Sequence, residues 1–112
     1  MNPTVTVLIP SKNRPDRVQR LVDSIRRQIF TEPMEIVVID DGSAPPLAFS
    51  DPTIRLIRNP VSLGACAARN RGFAAAQGEF IFMFDDDTEL HDPTTFRRAL
   101  ALARAHPEFG KI

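Results

Sequence analysis

Hydrophobic positions in this chain follow two different periodicities. Four short apolar runs, rich in β-branched or aromatic residues, predict strands. These runs lie at 4–9, 34–39, 54–58 and 80–84. Longer segments between and after them predict helices, so the predicted order is β-α-β-β-α-β-α. That order indicates an α/β fold with a doubly wound, mostly parallel sheet and helices on both faces. We expect the first strand to be central and the more polar third strand to lie nearer an edge.

Three helices are predicted from spacing and end signals. The first begins near Pro15, and its apolar positions follow a helical repeat. Those positions are Val18, Leu21, Val22, Ile25 and Ile29. The second is capped by Ser62 and runs to about Gln77, and its many alanines allow close packing on a sheet. The third is capped by Asp92 and ends near His106.

The fourth strand runs directly into three carboxylates. The apolar run 80–84 is followed by Asp85, Asp86 and Asp87. A strand buried in a parallel sheet delivers the residues after it to the carboxyl edge, where open α/β sheets bind ligands. On an extended segment Asp85 and Asp87 point to the same side, and their hard oxygens suit Mg²⁺, Mn²⁺ or Ca²⁺. A solvated acidic loop is the alternative, and the triplet alone does not decide between the two.

Polar clusters also occur after the first two strands, at 11–14 and 40–43. The carboxyl ends of parallel strands share one edge, so these clusters are expected to converge on one ligand with the triplet. The second cluster is equally compatible with a plain turn, although a carboxylate there can accept from a base N–H or a ribose hydroxyl. Arg69 and Arg71 face different directions on their helix. One is expected to reach a diphosphate and the other to be solvated.

Composition excludes several functional classes. The 112 residues, 43% hydrophobic and 25% charged, fit a single soluble domain. Basic and acidic residues number 14 each, which is unlike a nucleic-acid-binding protein. A single cysteine, Cys66, excludes an internal disulfide and a cysteine-based zinc cluster, and we expect it in the core. No apolar run approaches the roughly 20 residues of a membrane span. The glycine-rich phosphate loops and the Gly-x-Ser-x-Gly elbow are absent from the sequence.

Five segments of the sequence resemble a known family. They are 7–14, 38–43, 59–64, 68–72 and 78–87. Their order is that of a family 2 glycosyltransferase, whose GT-A fold is a Rossmann-like nucleotide-diphosphosugar domain. Each motif alone is modest, but together they span nearly the whole chain.

The resemblance implies a role for each polar cluster. The nucleotide-binding residues would be Pro10, Ser11, Asn13, Arg14, Asp40, Asp41, Arg69, Asp85 and Asp86. Among them, Asp41 or its neighbour Asp40 would accept from the base, usually uracil. The Asp-x-Asp motif implies Asp86 near the ribose. Asp85 and Asp87 would then bind a divalent metal, Mn²⁺ or Mg²⁺, that offsets charge on the departing nucleotide diphosphate.

The resemblance does not extend to the family's second half. That half supplies the acceptor pocket and the carboxylate base for an inverting displacement, so the catalytic base is expected beyond Ile112. The chain is therefore interpreted as a truncated donor-binding domain, residues 1–112. Its expected partners are a nucleotide-sugar donor, most simply a UDP-sugar, and an unknown sugar, lipid or polysaccharide acceptor. A cytoplasmic location, or one at the inner face of the membrane, is expected.

The sequence is also compatible with a function other than transfer, and it predicts an assembly state. A non-catalytic nucleotide-binding or assembly module would keep the donor half only. A phosphoacceptor receiver is disfavoured, since it needs a later lysine and the only lysines are Lys12 and Lys111. The strand 80–84 would keep one unpaired edge without its missing neighbours, which predicts a homodimer through that edge or by exchange of the last helix. The alternative is that the last helix folds back over the edge.

Overall fold

A four-stranded parallel sheet forms the centre of the structure, a computed structural model that describes residues 2–106. Its strands are β1 (Val5–Ser11), β2 (Met34–Asp41), β3 (Ile54–Asn59) and β4 (Phe80–Met83). The strand order is β3-β2-β1-β4, and all three neighbouring pairs run parallel. This order confirms that the first strand is interior and that the third lies at an edge.

Three helices cover the two faces of the sheet. They are α1 (Pro15–Arg26), α2 (Ala65–Ala75) and α3 (Thr95–Ala105). α1 and α3 share one apolar core with the sheet, in which Leu21 and Phe96 are fully buried. α2 packs on the opposite face, where Ala68 joins Leu8 and Ile39. The predicted α/β fold with helices on both faces is therefore confirmed. None of the helices within residues 2–106 combines the length and hydropathy needed to cross a bilayer.

Small residues let α2 approach the sheet closely. Gly72 lies against Leu8, and a β-carbon at that position would come within 2.2 Å of the leucine side chain. The helix ends at Ala75 and begins at Ala65, so it is shorter at both ends than predicted. Cys66 is exposed in its first turn, and the prediction of a core cysteine is wrong.

The ends of α1 and α3 also differ from those predicted. α1 ends before Ile29, whose backbone N–H bonds to the Pro93 carbonyl at 2.8 Å instead of continuing the helix. The Ile29 side chain is therefore 55% exposed rather than buried. α3 begins after a short turn, in which the Asp92 carboxylate accepts bonds from the N–H and hydroxyl of Thr94. Asp92 thus stabilises a turn before the helix instead of capping it.

The chain reverses its direction of winding between β1 and β4. From β1 it passes to β2 and, through the loop 42–53, to β3 at one edge. It then returns across the sheet in α2 and enters β4 on the other side of β1. Such a switch point leaves a crevice at the carboxyl ends of the two strands, where open α/β sheets bind ligands.

Candidate functional site

A cleft of about 510 Å³ opens at the carboxyl edge of the sheet, at the ends of β1 and β4. It is lined by Pro10, Ser11, Lys12, Arg14, Asp41, Ser62, Gly64, Ala65, Ala68, Arg69, Asp85, Asp86 and Asp87. The three strand-end clusters therefore meet at one place, as the sequence predicted. Of the predicted site residues, Asn13 and Asp40 do not line the cleft.

The middle carboxylate of the triplet is held by residues at the end of β1. Ser11 Oγ donates to Asp86 Oδ2 at 2.8 Å, and Arg14 Nη1 lies 3.2 Å from Asp86 Oδ1. Asp86 is only 8% exposed, whereas the Arg14 side chain is 53% exposed. Both oxygens of Asp86 thus connect β4 to the β1–α1 loop. Its contact with a ribose stays a prediction.

The two outer carboxylates of the triplet are open to solvent. A turn closed by the bond from Thr88 N–H to the Asp85 carbonyl, at 3.0 Å, presents them. The Asp85 side chain is 70% exposed, and Arg69 Nη2 lies 3.9 Å from its Oδ1. Asp87 is exposed, and within residues 2–106 no hydrogen bond or ion pair engages its carboxylate. The Asp87 oxygens, and the side of Asp85 that does not face Arg69, are open to a cation.

Arg69 carries an unsatisfied donor at the cleft. Its Nε is buried and has no hydrogen-bond partner among the described residues. Buried donors are nearly always paired, so an acceptor from a ligand would complete this site. Arg71 instead donates through Nη1 to the carbonyl of Arg58 and to Oδ1 of Asn59. Arg71 therefore fixes the end of β3 and is exposed to solvent, whereas Arg69 is the one of the two that lines the cleft.

Asp41 organises the loop that forms one wall of the cleft. Its Oδ1 accepts from Asn59 Nδ2 and Leu63 N–H, both at 2.9 Å, and its Oδ2 accepts from Ser62 Oγ at 2.8 Å and Gly64 N–H at 3.1 Å. Burial alone would raise the pKa of Asp41. The hydrogen bonds, with that from Leu63 the largest, outweigh burial and lower the pKa to about 2. Asp41 is thus ionised at neutral pH and bonded on both oxygens.

Gly42 allows the wall loop to pass close to β2. Its φ is 78°, and a β-carbon there would come within 2.6 Å of the Ser62 backbone nitrogen. Any side chain would push the 61–64 loop away and would also be strained in this left-handed conformation. Asp-Gly at the end of β2 is therefore a structural requirement of the cleft wall.

Asp40 and Asn13 support the cleft from behind. Asp40 is fully buried, and its carboxylate accepts from Ser43 N–H, Leu47 N–H and Arg58 Nη1 at 2.9, 2.9 and 2.7 Å. Burial alone would raise the pKa of Asp40, but hydrogen bonds to its carboxylate outweigh burial and lower that pKa. Asn13, with a φ of 58°, bonds to Ser43 Oγ and the Ala44 N–H. Both residues tie loops together, and a direct contact with a nucleotide stays a prediction.

The acidic residues fit a cation that is shared with a ligand. Within residues 2–106, no group of three or more His, Cys, Asp or Glu side chains could hold a metal by itself. Asp85 and Asp87 nonetheless offer exposed carboxylate oxygens, the ligand type that Mg²⁺ and Mn²⁺ prefer. Mg²⁺ is commonly bound through one or two carboxylates plus substrate phosphates. The donor set therefore fits a metal that completes its coordination with a diphosphate.

Sequence patterns assigned no ligand contact to four residues of the cleft. They are Ser62, Gly64, Ala65 and Ala68. Lys12, which also lines the cleft, belongs to the 11–14 cluster that was expected to converge on the ligand. Ser62 was assigned to a helix cap, whereas its hydroxyl bonds to Asp41. The loop that carries it belongs to the 59–64 segment that resembles the family, and that resemblance was a usable signal.

The model of the family described as Glycosyl transferase family 2 matches residues 6–109. The chain belongs to glycosyl transferase family 2. This finding confirms the family that the five sequence segments resemble. It also agrees with the topology, because the cleft lies where a Rossmann-like sheet binds its ligand.

Curated glycosyltransferases are similar to this chain. A pre-mycofactocin glycosyltransferase of Mycobacterium tuberculosis is 38% identical over 88 residues, which cover 74% of this chain and 17% of the relative. The UDP-Glc:α-D-GlcNAc-diphosphoundecaprenol β-1,3-glucosyltransferase WfgD of Escherichia coli is 33% identical, with 74% of this chain and 34% of the relative covered. The chain thus spans about a third or less of these relatives' length.

Solved structures of glycosyltransferases with the GT-A fold are similar to this chain. S. aureus TarS 1-349 in complex with UDP has a TM-score of 0.75 at 23% identity, over 92% of this chain and 32% of that one. The mannosyltransferase PcManGT from Pyrobaculum calidifontis, in complex with GDP-Man and Mn²⁺, has a TM-score of 0.78 at 23% identity, over 92% and 33%. The predicted GT-A fold is therefore confirmed.

Proposed function

We propose that residues 1–112 form the donor-binding domain of a glycosyltransferase that uses a UDP-sugar. The observation that carries this proposal is that a single cleft contains both a cationic hydrogen-bond donor and open carboxylates. Arg69 presents a buried, unpartnered Nε, and Asp85 and Asp87 present open carboxylates. A nucleoside diphosphate needs cationic donors for its phosphates, and a bridging metal needs carboxylates beside them.

Cationic side chains on two walls of the cleft would bind the diphosphate. Lys12 and Arg14 line it from the β1–α1 loop, and Arg69 lines it from α2. The Arg14 guanidinium is half exposed, so it can contact a phosphate as well as Asp86. Asp41 is proposed to accept from the base, and Asp86 from the ribose. The four acceptor positions of Asp41 are taken by protein donors, so a base N–H would have to replace one of them. Asp86 has one bond on each oxygen and keeps positions for a ribose hydroxyl.

A divalent cation, Mn²⁺ or Mg²⁺, would be held by Asp85 and Asp87 together with the diphosphate. When bound, it would offset the charge that develops on the departing nucleotide diphosphate. The similar PcManGT structure is a complex with GDP-Man and Mn²⁺, and the similar TarS structure is a complex with UDP. The PcManGT complex supports a metal here, and the TarS complex supports a uridine nucleotide. The protein's own contribution is to hold the two carboxylates in the same cleft as Arg69, whose Nη2 lies 3.9 Å from Asp85 Oδ1.

The sugar is proposed to pass to an acceptor hydroxyl by direct displacement, with inversion. The described carboxylates of the cleft are assigned to donor and metal, so the base would lie outside residues 2–106. The name of the relative WfgD includes a UDP-glucose donor and a diphosphoundecaprenol-linked acceptor. A lipid-linked or polysaccharide acceptor at the cytoplasmic face of a membrane is therefore part of this proposal.

Two measurements test the proposal in order. Calorimetry should show that UDP binds the purified chain, and more tightly with Mn²⁺ or Mg²⁺ than with a chelator. Release of UDP from UDP-sugars, with and without candidate acceptors, then separates a transferase from a non-catalytic binding module. Equal UDP affinity with and without metal would rule out the metal, and no UDP binding at all would rule out the donor.

The isolated chain is also proposed to form a homodimer through β4. Within residues 2–106, β4 pairs only with β1, so one row of its backbone groups is unpaired. α3 packs on the face of this strand, with Phe82 and Phe96 ring centroids 5.2 Å apart. An apolar edge strand without Lys or Pro is a template for pairing. Sedimentation equilibrium at micromolar concentration should give a dimer mass, and a clean monomer mass would contradict this proposal.

A further inference from the structure

The side chain of Gln28, just beyond α1, caps the first turn of α3. Gln28 Oε1 accepts from Phe96 N–H at 2.9 Å, and Gln28 Nε2 donates to the Asp92 carbonyl at 2.7 Å. The first turn of a helix has N–H groups without intrahelical partners, and α3 has no side-chain cap of its own. Gln28 therefore serves as a cap supplied from the segment that follows α1. The adjacent Ile29 N–H adds its bond to the Pro93 carbonyl.

Ser24 binds the segment between the Asp85–Asp87 triplet and α3 at Leu90, which is closer to the triplet than Asp92 is. Its side chain is fully buried; Oγ donates to the Leu21 carbonyl at 2.7 Å and accepts from Leu90 N–H at 3.1 Å. A serine inside a helix that bonds back to its own backbone slightly destabilises that helix. A buried hydroxyl among apolar side chains also needs partners. Because it accepts the bond from Leu90, the Ser24 hydroxyl has a structural role that an alanine side chain could not fill.

The turn that carries Asp87 is fixed on both sides. Before it, Phe84 N–H bonds to the Leu8 carbonyl at 3.0 Å, and the Phe84 ring stacks on Phe96 with centroids 5.8 Å apart. After it, Leu90 is held by Ser24. Asp87 has no partner of its own within residues 2–106. Its carboxylate is therefore located by the backbone that carries it, and the exit of that backbone is held by α1.

We infer that Ser24 and Gln28 are positioning residues for Asp87. They fix the chain after the turn and so set where the Asp87 carboxylate stands relative to the diphosphate. This inference rests on the proposed metal at Asp87. Metal ligands must be held within about 0.5 Å of a productive geometry. A turn whose following segment was not held by other residues would not keep Asp87 within that range. Neither residue lines the cleft, so neither would contact a nucleotide bound there.

The test compares UDP affinity with Mn²⁺ and with chelator in four proteins by calorimetry. They are the wild type, Ser24→Ala, Gln28→Ala and, as a control, Gln19→Ala. Gln19 lies on α1, and among the described residues its exposed side chain bonds only to Asp23. We expect Ser24→Ala and Gln28→Ala to reduce the ratio of the two affinities by roughly three- to tenfold. Affinity with chelator should stay within about twofold of wild type, since the rest of the cleft is untouched.

A second measurement separates positioning from a general loss of structure. All four proteins are first shown to be folded at the assay temperature by circular dichroism. Hydrogen exchange should then be faster at Thr88 and Leu90 in Ser24→Ala and Gln28→Ala, and unchanged in β2. Ser24→Thr, which keeps the hydroxyl, should restore the affinity ratio. Wild-type coupling that survives in both alanine variants, or equal losses with and without metal, would overturn the inference alone. Absence of coupling in the wild type would overturn the metal proposal and this inference with it.

Discussion

The two acidic walls of the cleft are built in opposite ways. On the β2 side, Asp40 and Asp41 are buried and accept seven hydrogen bonds between them. On the β4 side, Asp85 and Asp87 are exposed, and within residues 2–106 Asp87 has no partner. The two pairs lie at the carboxyl ends of parallel strands in the same sheet.

This contrast separates the residues that build the cleft from those that are left open for a ligand. Buried carboxylates with several donors stabilise the fold, because each donor would otherwise be unsatisfied. Open carboxylates close together repel each other, and a cation relieves that repulsion. The β2 side therefore supplies a preorganised wall, and the β4 side supplies the groups whose energy is lowered only when metal and diphosphate bind.

The largest difference between the walls should be in stability. Asp41→Ala removes the acceptor of four donors and should lower the free energy of unfolding by about 3 kcal/mol. Asp87→Ala, the matched change on the other wall, should alter it by less than about 0.5 kcal/mol. Urea denaturation followed by circular dichroism measures both. Equal destabilisation by the two changes would show that the walls are not built differently.

Much of this contrast could not be predicted from the sequence. Strand ends, the parallel sheet and the meeting of three clusters could be predicted from hydrophobic patterns, because buried parallel strands leave a strong signal. Asp40-Asp41 and the Asp triplet look alike in sequence. In the structure, however, Asp40 and Asp41 accept several hydrogen bonds each, whereas Asp85 and Asp87 are open to solvent. The difference depends on Arg58, Ser62 and the backbone N–H groups of residues 63 and 64, which come from another strand and its loop.

Helix ends were less predictable, for the same reason. Ser62 has the residue type of a helix cap, but a tertiary bond to Asp41 takes its hydroxyl. Ile29 fits the helical repeat, but its N–H bonds to Pro93 far along the chain. Local spacing describes each element in isolation and contains no information about such long-range partners.

The second prediction concerns acid stability of the β2 wall. The pKa of Asp41 falls from 3.8 to about 2 on folding. The stabilisation from this group is therefore complete at pH well above 3.8 and is lost as the pH falls through about 2. Since one pKa unit corresponds to about 1.4 kcal/mol, at most about 2.5 kcal/mol is involved. Denaturation between pH 5 and pH 2 should show less acid dependence in Asp41→Asn than in wild type, and an unchanged profile would contradict the assignment.

The third prediction concerns ligand binding on the β4 wall. Asp87→Asn keeps the size of the side chain but weakens it as a metal ligand, so most of the gain in UDP affinity from Mn²⁺ should disappear. Affinity with chelator should be nearly unchanged, and so should stability. Calorimetry with and without Mn²⁺ measures both affinities. Asp85→Asn tests the neighbouring ligand, and full retention of the metal effect in both variants would exclude the triplet as the metal site.

The smallest expected effect is on the free energy of unfolding, from changes to the partners of Asp86 on the β4 side. Its bond from Ser11 is buried and short, whereas its ion pair with Arg14 is long, and the Arg14 side chain is 53% exposed. Solvent screens such a pair, so Arg14→Gln should change the free energy of unfolding by less than about 1 kcal/mol, and less still at high salt. Ser11→Ala removes a hydrogen bond to a buried charged acceptor and should cost more. Urea denaturation at two salt concentrations decides the order. If Arg14→Gln were the more damaging change at both salt concentrations, Asp86 would depend on the exposed arginine, and the β4 wall would resemble the β2 wall more closely than its exposure indicates.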